Sequence, residues 1–175
     1  MGLRDKIAAK FASMGIDHSA ALAPILGAED PVVACAGVLP AAYKRGGGTG
    51  PLNGTQIAMK AIDAAANKVS GNRHTGGEEG SVAATLPREG ELAYLAMSAR
   101  GLSLWDFGMN GQQTPPTLMV RIDGEQVRSV VDTGKKAQGG AAVVRFTFTD
   151  DSFFDYRVMP GNAAFIEAAA ARWPA

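Results

Sequence analysis

Apolar and polar positions alternate most clearly near the end of the chain. Val144, Phe146 and Phe148 interleave with Arg145, Thr147 and Thr149; Phe154, Tyr156 and Val158 interleave with Asp155 and Arg157. A period of two places one face in a core and the other in water, so Asp155 is expected on a wet face. Shorter runs of the same kind fall at 81–86, 92–98, 102–107, 118–122 and 126–132, with the two late strands at 142–149 and 153–159. A further apolar run, 31–39, bounded by Pro31 and Pro40, predicts a buried strand. Turn residues separate the runs. Ser98-Ala99-Arg100-Gly101, Asp123-Gly124 and Thr149-Asp150-Asp151-Ser152 each suit a hairpin connection. The pattern is that of an antiparallel meander.

The remaining periodicity is helical. Leu3, Ile7, Phe11 and Met14 share one face of a helix over 3–14. Residues 17–27 predict a second short helix with Asp17 as N-cap. Ile57, Ala58, Ala61, Ile62, Ala65 and Val69 predict a third over 55–69. After Pro160-Gly161-Asn162, with Asn162 as cap, Phe165, Ile166, Ala169, Ala170 and Trp173 line one side of a C-terminal helix. That apolar stripe needs a cover, and the open end of a sheet supplies one.

About seven antiparallel strands followed by one amphipathic helix resemble the pleckstrin-homology-like (PH-like) fold. In particular they resemble PH-like domains of small actinobacterial proteins of unknown function. The residues that carry the likeness are Leu95 through Trp105, Val144 through Ser152, and the helix ending at Trp173. The first is similar to the hairpin pattern Thr/Ser-x-Arg-Arg/Gly-Leu-x-x-Trp/Tyr, the second to Phe-x-Phe-x-Asp-Gly-Ser. Asp151 stands where that second pattern has Gly, which predicts a different turn type. The resemblance covers roughly residues 30–173. It implies a mostly β (α+β) fold: a seven-stranded antiparallel barrel of two orthogonal sheets, capped by the C-terminal helix. Residues 1–29 are then a helical extension, and 30–175 the domain, with a Gly-rich helical insertion at about 40–80. The fold alone does not name a function, because it hosts lipid, peptide and protein binders.

Composition changes this picture in few places. The chain has 175 residues, 17 basic and 17 acidic, so its net charge is zero. Nucleic acid is therefore disfavoured as a partner. Neutrality is a sum over unlike halves: residues 1–77 carry eight basic and five acidic residues, 78–175 nine and twelve. Between 40 and 77, Lys44, Arg45, Lys60, Lys68 and Arg73 face only Asp63. In lipid-binding relatives of the fold, basic residues after the first strand hold phosphorylated headgroups. These five residues are the candidate anion site, and solvated helix faces are the plainer reading. Gly46 through Gly50 lacks the Lys-Ser/Thr of a phosphate loop, so no nucleotide is expected.

Catalytic and metal chemistry has little to stand on. One cysteine, Cys35, excludes an intrachain disulfide framework and a multi-thiolate zinc site, and its place mid-strand reads as an inert thiol. His18 and His74 have no partner at ligand spacing, and Asp150, Asp151 and Asp155 are explained by a turn and a strand face. No metal, no cofactor and no enzymatic activity are expected. Trp105 and Phe107 share the strand face opposite Leu102 and Leu104. Exposed, they form a protein-binding patch; otherwise they lie under the N-terminal helix or the 40–80 insertion. The expected function is a non-enzymatic module that binds a protein, a peptide or a second copy of itself. The alternative is a peripheral binder of anionic headgroups through the basic insertion. With no signal-peptide pattern and no long apolar run, a cytoplasmic location is expected, at most peripheral to the inner membrane face.

Overall fold

The computed structural model describes residues 17–42, 74–88 and 92–175, the side chain of Gln138 apart. The helices predicted over 3–14 and 55–69, the Gly-rich run 46–50 and the five basic residues Lys44, Arg45, Lys60, Lys68 and Arg73 lie outside the described residues. The described residues are mostly β. Helix α1 (His18–Leu26) leads to β1 (Val32–Pro40); β2 (Thr75–Gly76), β3 (Ala93–Ser98), β4 (Gly101–Asp106), β5 (Thr117–Asp123), β6 (Val127–Lys136), β7 (Ala142–Phe148) and β8 (Phe153–Val158) follow, and α2 (Ala163–Arg172) ends the domain. No described helix is long and apolar enough to cross a membrane.

The strands form one sheet in the order β5-β4-β3-β1-β8-β7-β6, with β2 added on β8. Every ladder is antiparallel. β5 and β6 are consecutive in the chain yet occupy the two ends of this order, and no ladder joins them, so the sheet does not close. Asp123-Gly124 is accordingly not a hairpin. It opens a 3-10 turn, Gly124–Gln126, in which the Asp123 amide donates to Gln126 Oε1. Gly124 is engaged elsewhere: its N–H donates to Arg100 O at 2.7 Å and its carbonyl accepts from Trp173 Nε1 at 3.1 Å.

The predicted alternation places the core. Val144, Phe146 and Phe148 on β7 and Phe154, Tyr156 and Val158 on β8 all lie in the main cluster, with Leu95, Leu102 and Leu104 of the facing strands. Helix α2 adds Phe165, Ala169 and Trp173 to it. Burying Phe165 and Trp173 contributes about 2–3 kcal/mol each. Arg172 donates to the Ser98 and Ala99 carbonyls and lies over the Trp173 ring, so α2 is held at the Ser98–Gly101 end of β3 and β4. Asn162 makes no side-chain cap; its Nδ2 donates instead to Met159 O. Helix α1 begins as predicted, Asp17 Oδ1 accepting from the Ala20 amide at 3.0 Å.

Two turns are settled by side chains remote in sequence. Residues 82–85, read as part of a strand, form a 3-10 turn. Its Val82 and Ala83 amides donate to Asp150 Oδ2 (2.7 Å) and Ser152 Oγ (3.1 Å), groups on the β7–β8 hairpin. That hairpin keeps the Gly-type geometry despite its sequence: Asp151 itself adopts φ 63°, a conformation Asp tolerates better than most residues. In β2, a Cβ on Gly76 would meet the Phe153 ring at 2.2 Å, so a larger residue here would have to push that ring aside for the short strand to pair with β8.

Two carboxyls tie stability to pH. Burial pushes Asp30 up, but the Ser98 hydroxyl, the Arg100 amide and the charges of Arg121 and Arg100 outweigh it and hold the group below its ordinary 3.8. Asp150 is likewise raised by burial, and lowered further than that by its Ser152 and Val82 hydrogen bonds. A depressed folded pKa stabilises above the unfolded value and loses that contribution as pH falls through the folded one. Urea midpoints are therefore expected to hold steady above about pH 5 and fall below about pH 4, and Asp30→Asn is expected to flatten that slope. An unchanged acid slope in Asp30→Asn counts against this assignment.

Candidate functional site

Two hollows and one buried charged cluster are large or polar enough to consider. The first is a cavity of about 290 Å³ at the end of the sheet away from α2. Pro40 closes β1 there, Ala93 opens β3 and Asp106 ends β4. Leu104 and Tyr156 also line it. Met109 and Met119 line it from the β4–β5 connection and from β5, 86% and 43% exposed. Met119 sits there because of a bulge: Leu104 pairs with Val120 and Trp105 with Leu118, leaving Met119 as the extra residue. The connection itself is shaped by Asp106, whose carboxylate accepts from the Gly108 amide at 2.7 Å. His18 Nε2 of α1 donates to Gly111 O at 2.8 Å and anchors its far side.

Beside Asp106, Tyr156 is the lining residue here with a polar side chain. It is 2% exposed, and its hydroxyl has no hydrogen-bond partner among the described residues. Burial pushes that hydroxyl well above its ordinary range, so it stays protonated and able to donate. A buried donor without an acceptor is uncommon, and each such group asks for a physical account.

The second group is a shallow hollow of about 390 Å³ beside α1, lined by His18, Cys35 and Tyr94 among others. His18 stacks on Tyr94 at 3.6 Å between centroids, and Phe107 meets both rings edge-on. Burial pushes the Cys35 thiol up to about 12, so it is neutral and a poor nucleophile.

The third group centres on Asp155, which the alternation had placed on a wet face. It is buried. Arg145 grips it with Nε and Nη2 at 2.7 and 3.0 Å, and His74 Nδ1 lies 3.1 Å away. Phe153 covers the Arg145 guanidinium at 4.1 Å. The Asp155 amide also donates to His74 O, so the cluster fastens the chain at β2 to β8. Each member is engaged with another, as a structural tie requires. Among the described residues no three His, Cys, Asp or Glu side chains are placed to share a metal ion.

The predicted aromatic patch is not a surface. Trp105 is 3% exposed and Phe107 fully buried. Both pack with Leu22 of α1 and Ala96 in a second, smaller core on the outer face of β3 and β4. The helix predicted at 17–27 is what covers them. The residues that do reach a cavity, Tyr156, Met109 and Met119, were not singled out by sequence reasoning. The one signal for Tyr156 was its hydroxyl on an otherwise apolar core face; an unaccompanied Met in a polar loop was the signal for Met109. The chain matches no family model, no curated protein and no solved structure.

Proposed function

We propose that this chain is a non-catalytic interaction module of PH-like architecture that binds an extended protein or peptide segment along β5. The observation that carries the reading is the state of that strand. Among the described residues β5 ends the sheet, pairs only with β4, and exposes Leu118 (44%) and Met119 beside Met109. An exposed apolar edge with unused backbone groups is the template for an added strand: backbone hydrogen bonds give affinity and alternate side chains give specificity. The PH-like reading is supported by the strand order, in which the first long strand pairs with the last, and by a helix closing one end. The non-catalytic reading is supported by the neutral Cys35 thiol and by Asp155 being held by Arg145.

Selection of a displayed peptide library on the immobilised chain tests this. Enriched peptides are expected to alternate apolar and polar residues, and Leu118→Glu is expected to weaken them about tenfold or more while leaving Tm within a degree or two. Peptides that bind Leu118→Glu equally well would sink the β5 assignment. Retention on anionic vesicles, lost on charge reversal of Lys44 and Arg45 and without peptide binding, would move the function to a phosphorylated headgroup.

A further inference from the structure

The turn between β4 and β5 carries chemistry of its own, separate from the peptide reading. We infer that Asn110 is a site of spontaneous deamidation, guarded by helix α1 through His18, and that the modified chain loosens that guard.

The reaction belongs to the pair Asn110-Gly111. Glycine has no side chain to hinder approach, so its nitrogen can reach the Asn110 side-chain carbonyl. Hydroxide takes the Gly111 amide proton, and the nitrogen forms a bond to Asn110 Cγ. The Cγ–Nδ2 bond breaks, and the nitrogen leaves as ammonia after taking a proton from water. Water then opens the cyclic imide at either of its two carbonyls. One opening gives aspartate. The other gives isoaspartate, in which the main chain runs through the former side chain and is one carbon longer.

The fold sets the rate. Asn110 is exposed, while Gly111 beside it is buried. The Gly111 N–H donates to Gly108 O at 2.9 Å, so the proton that must leave is engaged. The Gly111 carbonyl accepts from His18 Nε2 at 2.8 Å, a bond between residues 93 apart in sequence. The Asp106 carboxylate and the Phe107 carbonyl brace the same turn by accepting from the Gly108 and Gln113 amides, each at 2.7 Å. Attack requires rotation about the bond that joins Asn110 to its own carbonyl, and these contacts oppose it. Deamidation therefore proceeds from the opened turn, at a rate that follows how often it opens. His18 stacks on Tyr94 and belongs to α1, so freeing Gly111 means lifting the start of that helix.

The product acts back on the guard. Gly111 has φ 65° and lies so close to Tyr94 that a Cβ on it would meet Tyr94 Oη at 2.5 Å. A main chain one carbon longer at Asn110 cannot keep Gly111 in this space with both the Gly108 and the His18 bonds. Either product also adds a carboxylate to a turn that already holds Asp106. What α1 suppresses thus weakens α1 once it has happened, and the lost ammonia makes the step one-way.

The test incubates the full chain at mildly alkaline pH, without peptide, and follows ammonia loss by mass spectrometry of tryptic fragments. Cleavage after Arg100 and Arg121 separates Asn110-Gly111 from Asn53-Gly54, the other such pair, which lies outside the described residues. Asn110 is expected to react about tenfold or more slowly in the folded chain than in the same chain unfolded in urea. His18→Ala is expected to speed it about fivefold, the worth of one hydrogen bond, and to raise amide exchange at Gly111 in proportion. Exchange at Phe148, whose N–H donates to Ser152 O at 2.8 Å, is expected to stay at the parent rate, which separates local release from loss of the fold. The purified isoaspartate form is expected to show the same fast exchange at Gly111. Four results overturn the assignment: no reaction at Asn110 even in urea, equal rates folded and unfolded, parent-like rates in His18→Ala, or an isoaspartate form that protects Gly111 as the parent does. None of them bears on β5, which Leu118→Glu tests by peptide binding alone.

Discussion

Trp105→Ala is expected to destabilise the fold by about 3–5 kcal/mol, the largest effect of any single change considered. The indole is 3% exposed and fills the layer between β4 and α1 with Leu22, Ala96 and Phe107. Truncation removes its contacts on all sides. It also strips the buried Ser103 hydroxyl of the Nε1–H that donates to it at 2.8 Å. A short helix such as α1 has little stability of its own and depends on the face it covers. Once the indole is gone, α1 keeps Leu22 in a thinner layer with Ala96 and Phe107, the His18–Gly111 hydrogen bond and the His18 ring contacts, but loses the largest side chain beneath it. Urea denaturation followed by circular dichroism should show a lower midpoint with the slope unchanged. The sign matters for function. Had Trp105 been a docking residue, its loss would weaken a partner and leave the midpoint alone; an unchanged midpoint would restore that reading.

Asp155→Asn is the second large change, expected to cost about 3 kcal/mol. Asp155 is buried and takes two hydrogen bonds from Arg145, a bidentate arrangement that an amide cannot reproduce. The penalty sits at the lower end of the range for broken buried pairs because the Arg145 side chain is 38% exposed and water screens part of the loss. His74 loses its partner as well, so β2 should loosen from β8 before the sheet itself opens. Arg145→Lys keeps the charge but not the fork, and should cost about 1–2 kcal/mol. Amide exchange at Asp155, whose N–H donates to His74 O, is the direct measurement. Protection equal to the parent in Asp155→Asn would show that the cluster is not what holds β2.

What the sequence made legible follows from where water is. β7 and β8 were read correctly because their core faces are uninterrupted and their other faces carry polar residues. Helices α1 and α2 were found from a cap and a stripe, both local signals. The misreadings at Asp155, 81–86 and Trp105 share one cause, a contact made by residues far along the chain. Alternation said that Asp155 lies opposite the core; it could not say that Arg145, Phe153 and the segment at His74 cover that second face. The apolar run at 81–86 fits a strand until Asp150 and Ser152, nearly seventy residues on, take its amides. Trp105 and Phe107 looked like a patch because the helix that hides them presents mostly alanine and leucine, too weak a stripe to demand a partner. The cavity left only faint local traces, a hydroxyl on a core face at Tyr156 and a lone Met in a polar loop at Met109, because it is a shortage of side-chain volume where the ends of several strands meet.

The strand order has a consequence for how the chain reaches this state. Neighbours within β1-β3-β4-β5 and within β6-β7-β8 are mostly near in sequence, so each half can zip as hairpins soon after it is made. The halves meet through three residue pairs of β1 and β8, Val38 with Val158, Leu39 with Arg157 and Pro40 with Tyr156. Arg157 reinforces that seam by donating to the Ala41 carbonyl, 116 residues back. Closing so long a loop comes late and slows folding. On the ribosome, β1 would leave the exit tunnel with one edge unpaired and wait for the final strand of the sheet. Until β8 arrives, the open edge of β1 is where a nascent chain would meet a chaperone or another copy of itself.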